Sequence, residues 1–221
     1  MTNNSTVCVD YDYNFDLKLF DNNIFNCNLD VENKTTVIEL KEIDKCILEI
    51  DDIYDNPYAV RNLIKEVPHT INNQVNNSQY PGYITILSAV NLNNLEIIIK
   101  KMVSRFMKDI DTNNFRKLDF ATGIYTKKDI LYDNSVLIKH KDVLPAFKNK
   151  NIRLAGVIYL NEHEEINGGT SFYNDENQLI HINYMKFNSM LLYPSDVMHS
   201  IYIDSPHAYR TNYRITQRIF M

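Results

Sequence analysis

The stretch "IRLAGVIYLNEHEEINGGTSFYNDENQLIHINYMKFNSMLLYPSDVMHSIYI", residues 152–203, decides the fold. It is a series of short runs rich in β-branched and aromatic residues: "IRLAGVIYL", "TSFYN", "QLIHINY", "SMLLYP" and "HSIYI". Asn, Asp, Gly, Pro and Ser, the residues that favour turns, separate them. Three similar runs flank the stretch, "LDFATGIYT" and "SVLIKH" before it and "YRITQRIF" after it. Many short strands at this spacing predict a sandwich or barrel, here a β-jelly roll over residues 118–221.

The chain upstream has a different periodicity. In "LNNLEIIIKKMVSRFMKDI", Leu95, Ile98, Ile99, Met102 and Phe106 recur at helical spacing and form one apolar stripe suited to lying on a sheet. "DNPYAVRNLIKEV" predicts a helix capped by Asp55 or Asn56, with Pro57 in its first turn and Val60, Leu63 and Ile64 on one face. "TTVIELKEIDKCILEIDDI" reads as two short strands, and "PHTINNQVNNSQYPGY" as a loop. Residues 1–35, rich in Asn and Asp with scattered aromatics, read as an irregular arm that packs its apolar side chains onto the body. The expected fold class is mainly β with α (α+β). One domain over 36–221 has helical support at 56–110 and a β core at 118–221, with the arm 1–35 in front.

At 221 residues, 44% hydrophobic and 23% charged, the chain can bury one sizeable core and is not compositionally disordered. A net charge of -5 gives no general attraction to phosphate backbones or anionic membranes. No segment has the ~18 consecutive apolar residues of a membrane helix, and the N-terminus lacks a basic start followed by an apolar run. Cys8, Cys27 and Cys46 form no close-spaced pair and suggest neither a disulfide framework nor a thiolate metal site. The expectation is a cytoplasmic protein that binds neither nucleic acid nor membrane.

His140 and Asp142 stand two apart where "SVLIKH" runs into turn residues. Strand alternation lets both face one side, offering an imidazole nitrogen and a carboxylate oxygen to an octahedral metal. A third ligand is needed, and a histidine from another strand would leave three positions open. His163 lies in a charged loop, His181 inside an alternating strand and His207 in a turn, whereas His199 opens a strand after the Pro-Ser-Asp turn of "SMLLYPSDVMHSIYI". His199 therefore occupies the same kind of rim position as His140 and Asp142.

With these residues in place the sequence resembles the Fe(II)/2-oxoglutarate-dependent dioxygenase superfamily, in particular a bacterial branch of unassigned substrate. The resemblance rests on "HKD" at 140–142, "LAGVIYLNEHEEINGGTSFY", "YPSDVMHSIYI" and "YRITQRIF", and upstream on "CILEIDDIYDNPYAVRNLI" and "QYPGY". It covers roughly residues 36–221. It implies a double-stranded β-helix, the cupin-like jelly roll, with His140, Asp142 and His199 as ligands of Fe(II). It also implies that Arg214 and Thr216 bind the far carboxylate of 2-oxoglutarate. An arginine's planar fork suits a carboxylate, but Arg210, Arg214 and Arg218 share one strand parity, so alternation alone leaves the anchor open. Tyr125, Tyr132 and Tyr193 are candidates to hydrogen-bond the cosubstrate or oxygen, with plain packing as the alternative. Gly168 and Gly169 are expected to serve a turn through positive φ.

The activity implied is hydroxylation of an unactivated C–H with release of succinate and CO2. Superfamily halogenases replace the carboxylate with a small residue, and here Asp142 is present. The partners implied are O2 and a small polar molecule, amino acid or peptide side chain, admitted past polar segments at 68–82 and 126–135 together with the N-terminal arm. The competing reading is a cupin-like protein that binds a metal or small ligand without turnover. Oligomeric state is not legible.

Overall fold

The computed structural model describes residues 23–66, 70–71, 83–86, 92–114, 119–125, 139–142, 153–162, 168–203 and 214–221. Strands β1 (Thr35–Leu40) and β2 (Lys45–Ile50) form an antiparallel hairpin, the two runs read from the sequence. Helix α1 (Pro57–Glu66) starts where expected, with the Asn56 side-chain oxygen accepting from the Ala59 N–H at 3.1 Å. That bond satisfies one of the orphan amides of the first turn, and Pro57 has no amide to satisfy. Helix α2 (Asn93–Phe106) buries Leu95, Ile98, Ile99, Met102 and Val103, with Phe106 partly covered at its end.

The β core begins with β3 (Thr70–Ile71), β4 (Tyr83–Ile86) and β5 (Asp119–Tyr125). It continues with β6 (Leu154–Tyr159), β7 (Gly168–Tyr173), β8 (Leu179–Tyr184), β9 (Ser189–Pro194), β10 (Met198–Ile203) and β11 (Arg214–Phe220). Two sheets result. The larger has the order β1-β2-β9-β6-β11-β5-β4-β3 and the smaller β10-β7-β8. From β6 onward the chain passes between them: β6 in the large sheet, β7 and β8 in the small one, then β9 large, β10 small and β11 large. This mostly β, jelly-roll-like arrangement fits the expected fold class, with two short helices in support among the described residues.

The strands β3 and β4 lie in and just after a segment read from sequence as loop. They pair with each other, and β4 pairs with β5, so backbone hydrogen bonding to an available sheet edge completes strands of only two and four residues.

The large sheet is covered on both faces. One face meets α1 and α2 through Leu48, Ile50, Leu154, Ile158, Leu192, Ile215 and Ile219. The other faces the small sheet and contributes Ile47, Val157, Tyr159, Leu191 and Tyr193 to a second core that includes Phe172 of β7. Residues of β6 and β9 are accordingly buried at every position, which is why these runs read as continuous apolar stretches. Of the arm, residues 23–35 are described: Phe25, Cys27 and Val31 are buried, and Phe25 packs edge-on against Tyr54. Among the described residues no helix is long and apolar enough to cross a membrane.

Candidate metal centre

The site lies between the two sheets at one end of the second core. His140 and His199 exchange backbone hydrogen bonds at 2.9 Å in both directions, forming a two-residue antiparallel bridge. The Asp142 amide donates to the Ser195 carbonyl at 2.9 Å, in the turn between β9 and β10. Backbone pairing therefore sets the three Cα positions before any side chain is considered. The side chains converge: one ligand atom from each of His140, Asp142 and His199 lies within 4.8 Å of the others. His199 Nε2 is 3.3 Å from Asp142 Oδ2, and His140 Nε2 is 3.8 Å from Asp142 Oδ1.

The electrostatics suit a cation. His199 is buried, and burial pulls its pKa down, a shift that the Asp142 charge opposes and His140 reinforces. A neutral imidazole is what a metal requires. Its Nδ1 lies 3.0 Å from the Val197 carbonyl, an oxygen that can only accept. That contact places the ring proton on Nδ1 and leaves the Nε2 lone pair facing Asp142, the usual orienting device behind a metal-bound histidine. Two imidazoles and one carboxylate converging within 4.8 Å form the donor set of a non-haem iron site with open positions. The residues present fit such an ion.

Further inside, β11 alternates. Ile215 and Ile219 enter the helix-side core, and Gln217 accepts a 2.8 Å hydrogen bond from the Tyr54 hydroxyl. Arg214, Thr216 and Arg218 therefore face the space between the sheets. Arg214 is buried; its Nη2 donates to the Gly169 carbonyl at 3.3 Å, and its guanidinium carbon lies 5.8 Å from the centre of the Tyr159 ring. Tyr159 stands opposite Thr216 in register and shares a 2.7 Å hydrogen bond with Thr170. Burial pushes the Tyr159 phenol up to about 12, against the pull of Arg214 and the Thr170 hydrogen bond, so it stays neutral. Thr216 Oγ1 is buried without a hydrogen-bond partner among the described residues. This cluster can receive a carboxylate, because an orphaned hydroxyl and a buried guanidinium face the same place.

Register supplies the depth. Thr170 pairs with Ile201 on β10, two residues beyond the Phe172–His199 pair, so the Arg214 end lies deeper than the His199 layer by at least one strand repeat, ~7 Å. Arg218 pairs with Val157, two residues nearer the metal end than Thr216, and its Nε is buried without a partner among the described residues. A charged surface cleft of about 830 Å³ also reaches Asp142, between the β1–β2 hairpin, the end of α2 and the 194–196 turn. Neither His140 nor His199 lines it.

Of the other residues singled out by sequence, Tyr125 closes β5 opposite Arg214, while Tyr132, Arg210, His163 and His207 lie outside the described residues. His181 sits beside Phe172, its ring stacked at 6.3 Å, and its buried Nε2 has no partner among the described residues. Gly168 and Gly169 are strand residues of β7, contrary to the turn expected for them. Gly169 has no positive φ; a Cβ there would stand 1.9 Å from the Asn183 carbonyl oxygen, so close approach of β8 is what demands glycine. Tyr159 and Thr170 escaped the sequence reading. Nothing along either strand marks them, because Tyr159 faces Thr216 only through the pairing of β6 with β11.

The paired sheets with their helical backing form a jelly-roll-like fold of a kind also seen in solved oxygenase structures. Two solved structures of that class are prolyl 4-hydroxylases. The Pseudomonas putida prolyl-4-hydroxylase superposes with a TM-score of 0.53 at 10% identity, over 76% of this chain and 86% of that one. A prolyl 4-hydroxylase from Phytophthora capsici gives 0.54 at 14% identity, over 89% of this chain and 65% of that one. At such identities the likeness establishes the fold. No protein-family model matches the sequence, and no curated protein does.

Proposed function

We propose that this chain is a non-haem Fe(II)- and 2-oxoglutarate-dependent oxygenase that hydroxylates an unactivated C–H of a small polar molecule, amino acid or peptide side chain. The observation that carries the reading is the approach of His140, Asp142 and His199 to within 4.8 Å of one another, one layer above a buried Arg214 and the orphaned Thr216 hydroxyl. A non-catalytic metal-binding jelly roll has no use for that second, carboxylate-shaped cluster. In this reading residues 36–221 form a double-stranded β-helix domain, preceded by the arm 1–35.

His140, Asp142 and His199 would hold the iron, which with 2-oxoglutarate supplies the activation of O2. The overall balance is C–H plus 2-oxoglutarate plus O2 giving C–OH, succinate and CO2. The chain's own work is to bind and orient. Arg214 meets the far carboxylate with its planar fork, and Thr216 donates its hydroxyl to the same group. Gly169 holds Arg214 in place by its carbonyl. The Tyr159–Thr170 pair forms the polar floor. Val157, Leu191 and Phe172 keep the surrounding wall dry, which strengthens each of these contacts.

Anaerobic addition of Fe(II) and 2-oxoglutarate should produce a weak visible charge-transfer band, and admission of O2 should yield succinate. His199→Ala should abolish both, and Arg214→Ala should mainly raise the 2-oxoglutarate concentration required. A wild-type protein that shows neither band nor succinate overturns the proposal.

A further inference from the structure

Tyr193 ends the inward-facing row of β9, and its ring is pinned between the sheets. Phe172 meets it edge-on at 5.4 Å and the His199 ring lies 4.7 Å away. The hydroxyl is therefore aimed rather than free to rotate out. It lies 3.2 Å from His199 Nε2 and 3.5 Å from Asp142 Oδ2. Since the Val197 carbonyl fixes the proton of His199 on Nδ1, Nε2 can only accept, and Tyr193 is the donor to it. One O–H thus stands before two acceptors, and both belong to the ligand set.

A metal bound at Nε2 occupies the lone pair that receives the Tyr193 proton. The O–H then has Asp142 Oδ2 as its acceptor, a bond that gains strength because the acceptor is ionised. Asp142 Oδ1, on the His140 side at 3.8 Å, remains for the metal. Without the hydroxyl, Oδ2 is a buried carboxylate oxygen lacking this donor, and leaving such a group unsatisfied is costly.

We infer that Tyr193 is a positioning residue of the metal centre: its hydroxyl holds His199 and Asp142 together before the ion arrives, then shifts its hydrogen bond from His199 Nε2 to Asp142 Oδ2, making Asp142 a one-oxygen ligand. The inference rests on the metal-centre reading above.

Tyr193→Phe tests it, because the ring and its packing are retained and only the hydroxyl is lost. In an anaerobic Co(II) titration the variant should bind about tenfold more weakly, the lower end of what loss of a group orienting a metal ligand costs. Its visible d–d bands should also shift as Asp142 becomes free to bind through both oxygens. Equal affinity and identical bands in wild type and variant overturn the inference while leaving the metal centre standing. Uptake of no Co(II) by wild type, or equal uptake by His199→Ala, overturns the metal centre itself and the inference with it. Should Tyr193→Phe fail to fold, wild type alone decides: Zn(II) should produce a near-UV tyrosine difference spectrum as the O–H changes acceptor, and a flat difference spectrum overturns the inference.

Discussion

Gly169→Ala couples the fold to the candidate site at a single atom. The added methyl would lie 1.9 Å from the Asn183 carbonyl oxygen and 2.9 Å from its carbon. Carbon–oxygen contacts between strands settle near ~3.3 Å, so β7 and β8 must part locally by roughly 1.4 Å. Both obstacles are backbone, which cannot swing aside as a side chain does. Overpacking costs ~1–3 kcal/mol and each ladder hydrogen bond lost about 1 kcal/mol more, so the loss should be about 3 kcal/mol. At ~2.1 cal/mol/K of unfolding entropy per residue, that lowers the thermal midpoint of a chain this long by about 6 °C. The same shift moves the Gly169 carbonyl that accepts from Arg214 Nη2. Affinity for 2-oxoglutarate, measured calorimetrically on Mn(II)-loaded protein, should fall about tenfold, equivalent to ~1.4 kcal/mol. A variant whose midpoint stays within ~2 °C of wild type, with unchanged affinity, would refute the close-approach argument.

Two further outcomes follow from buried polar groups. Asn188, at φ 60, ties the chain at Tyr54 by two side-chain hydrogen bonds of 2.9 and 3.0 Å; Asn188→Ala should cost ~2–4 kcal/mol in urea denaturation through lost bonds and left-handed strain. Asn188→Gly, which tolerates that φ, should cost less than Asn188→Ala. Burial, with the Asp55 charge adding to it, raises the Cys27 thiol from 9.0 to about 12. Native protein at pH 8 should therefore leave Cys27 unmodified by a disulfide reagent until it unfolds, as mass mapping would show. The sign for stability is also set: the folded state keeps a proton that the unfolded chain releases. The contribution is thus full below pH 9 and is lost as pH rises toward about 12.

Much of the architecture was legible because its causes are local. Asn56 and Pro57 announce the start of α1, and the Leu95–Met102 stripe announces the buried face of α2. The turn residues between short apolar runs mark β6 to β11. His140, Asp142 and His199 could be picked out in order as candidate ligands because each stands where an apolar run meets turn residues. The strands β3 and β4 were not legible, since what makes them strands is an edge supplied by β5, far along the chain.

By itself, then, the amino-acid order determined the helices, the strand series, the overall class and the short list of polar residues, all through periodicity and turn chemistry acting over a few positions. Tertiary structure alone decided which of those residues act on one another. Arg214 and Arg218 have the same parity, and only their depth separates them, one held against Gly169 and Tyr159 and the other level with Val157. Gly169 reads in sequence as a turn and is a contact; Tyr193 reads as one of several tyrosines, and its hydroxyl stands 3.2 Å from His199 Nε2 and 3.5 Å from Asp142 Oδ2. Such facts depend on the spacing and stagger of strands brought together from distant parts of the chain, and alternation along one strand carries no information about what stands across from it.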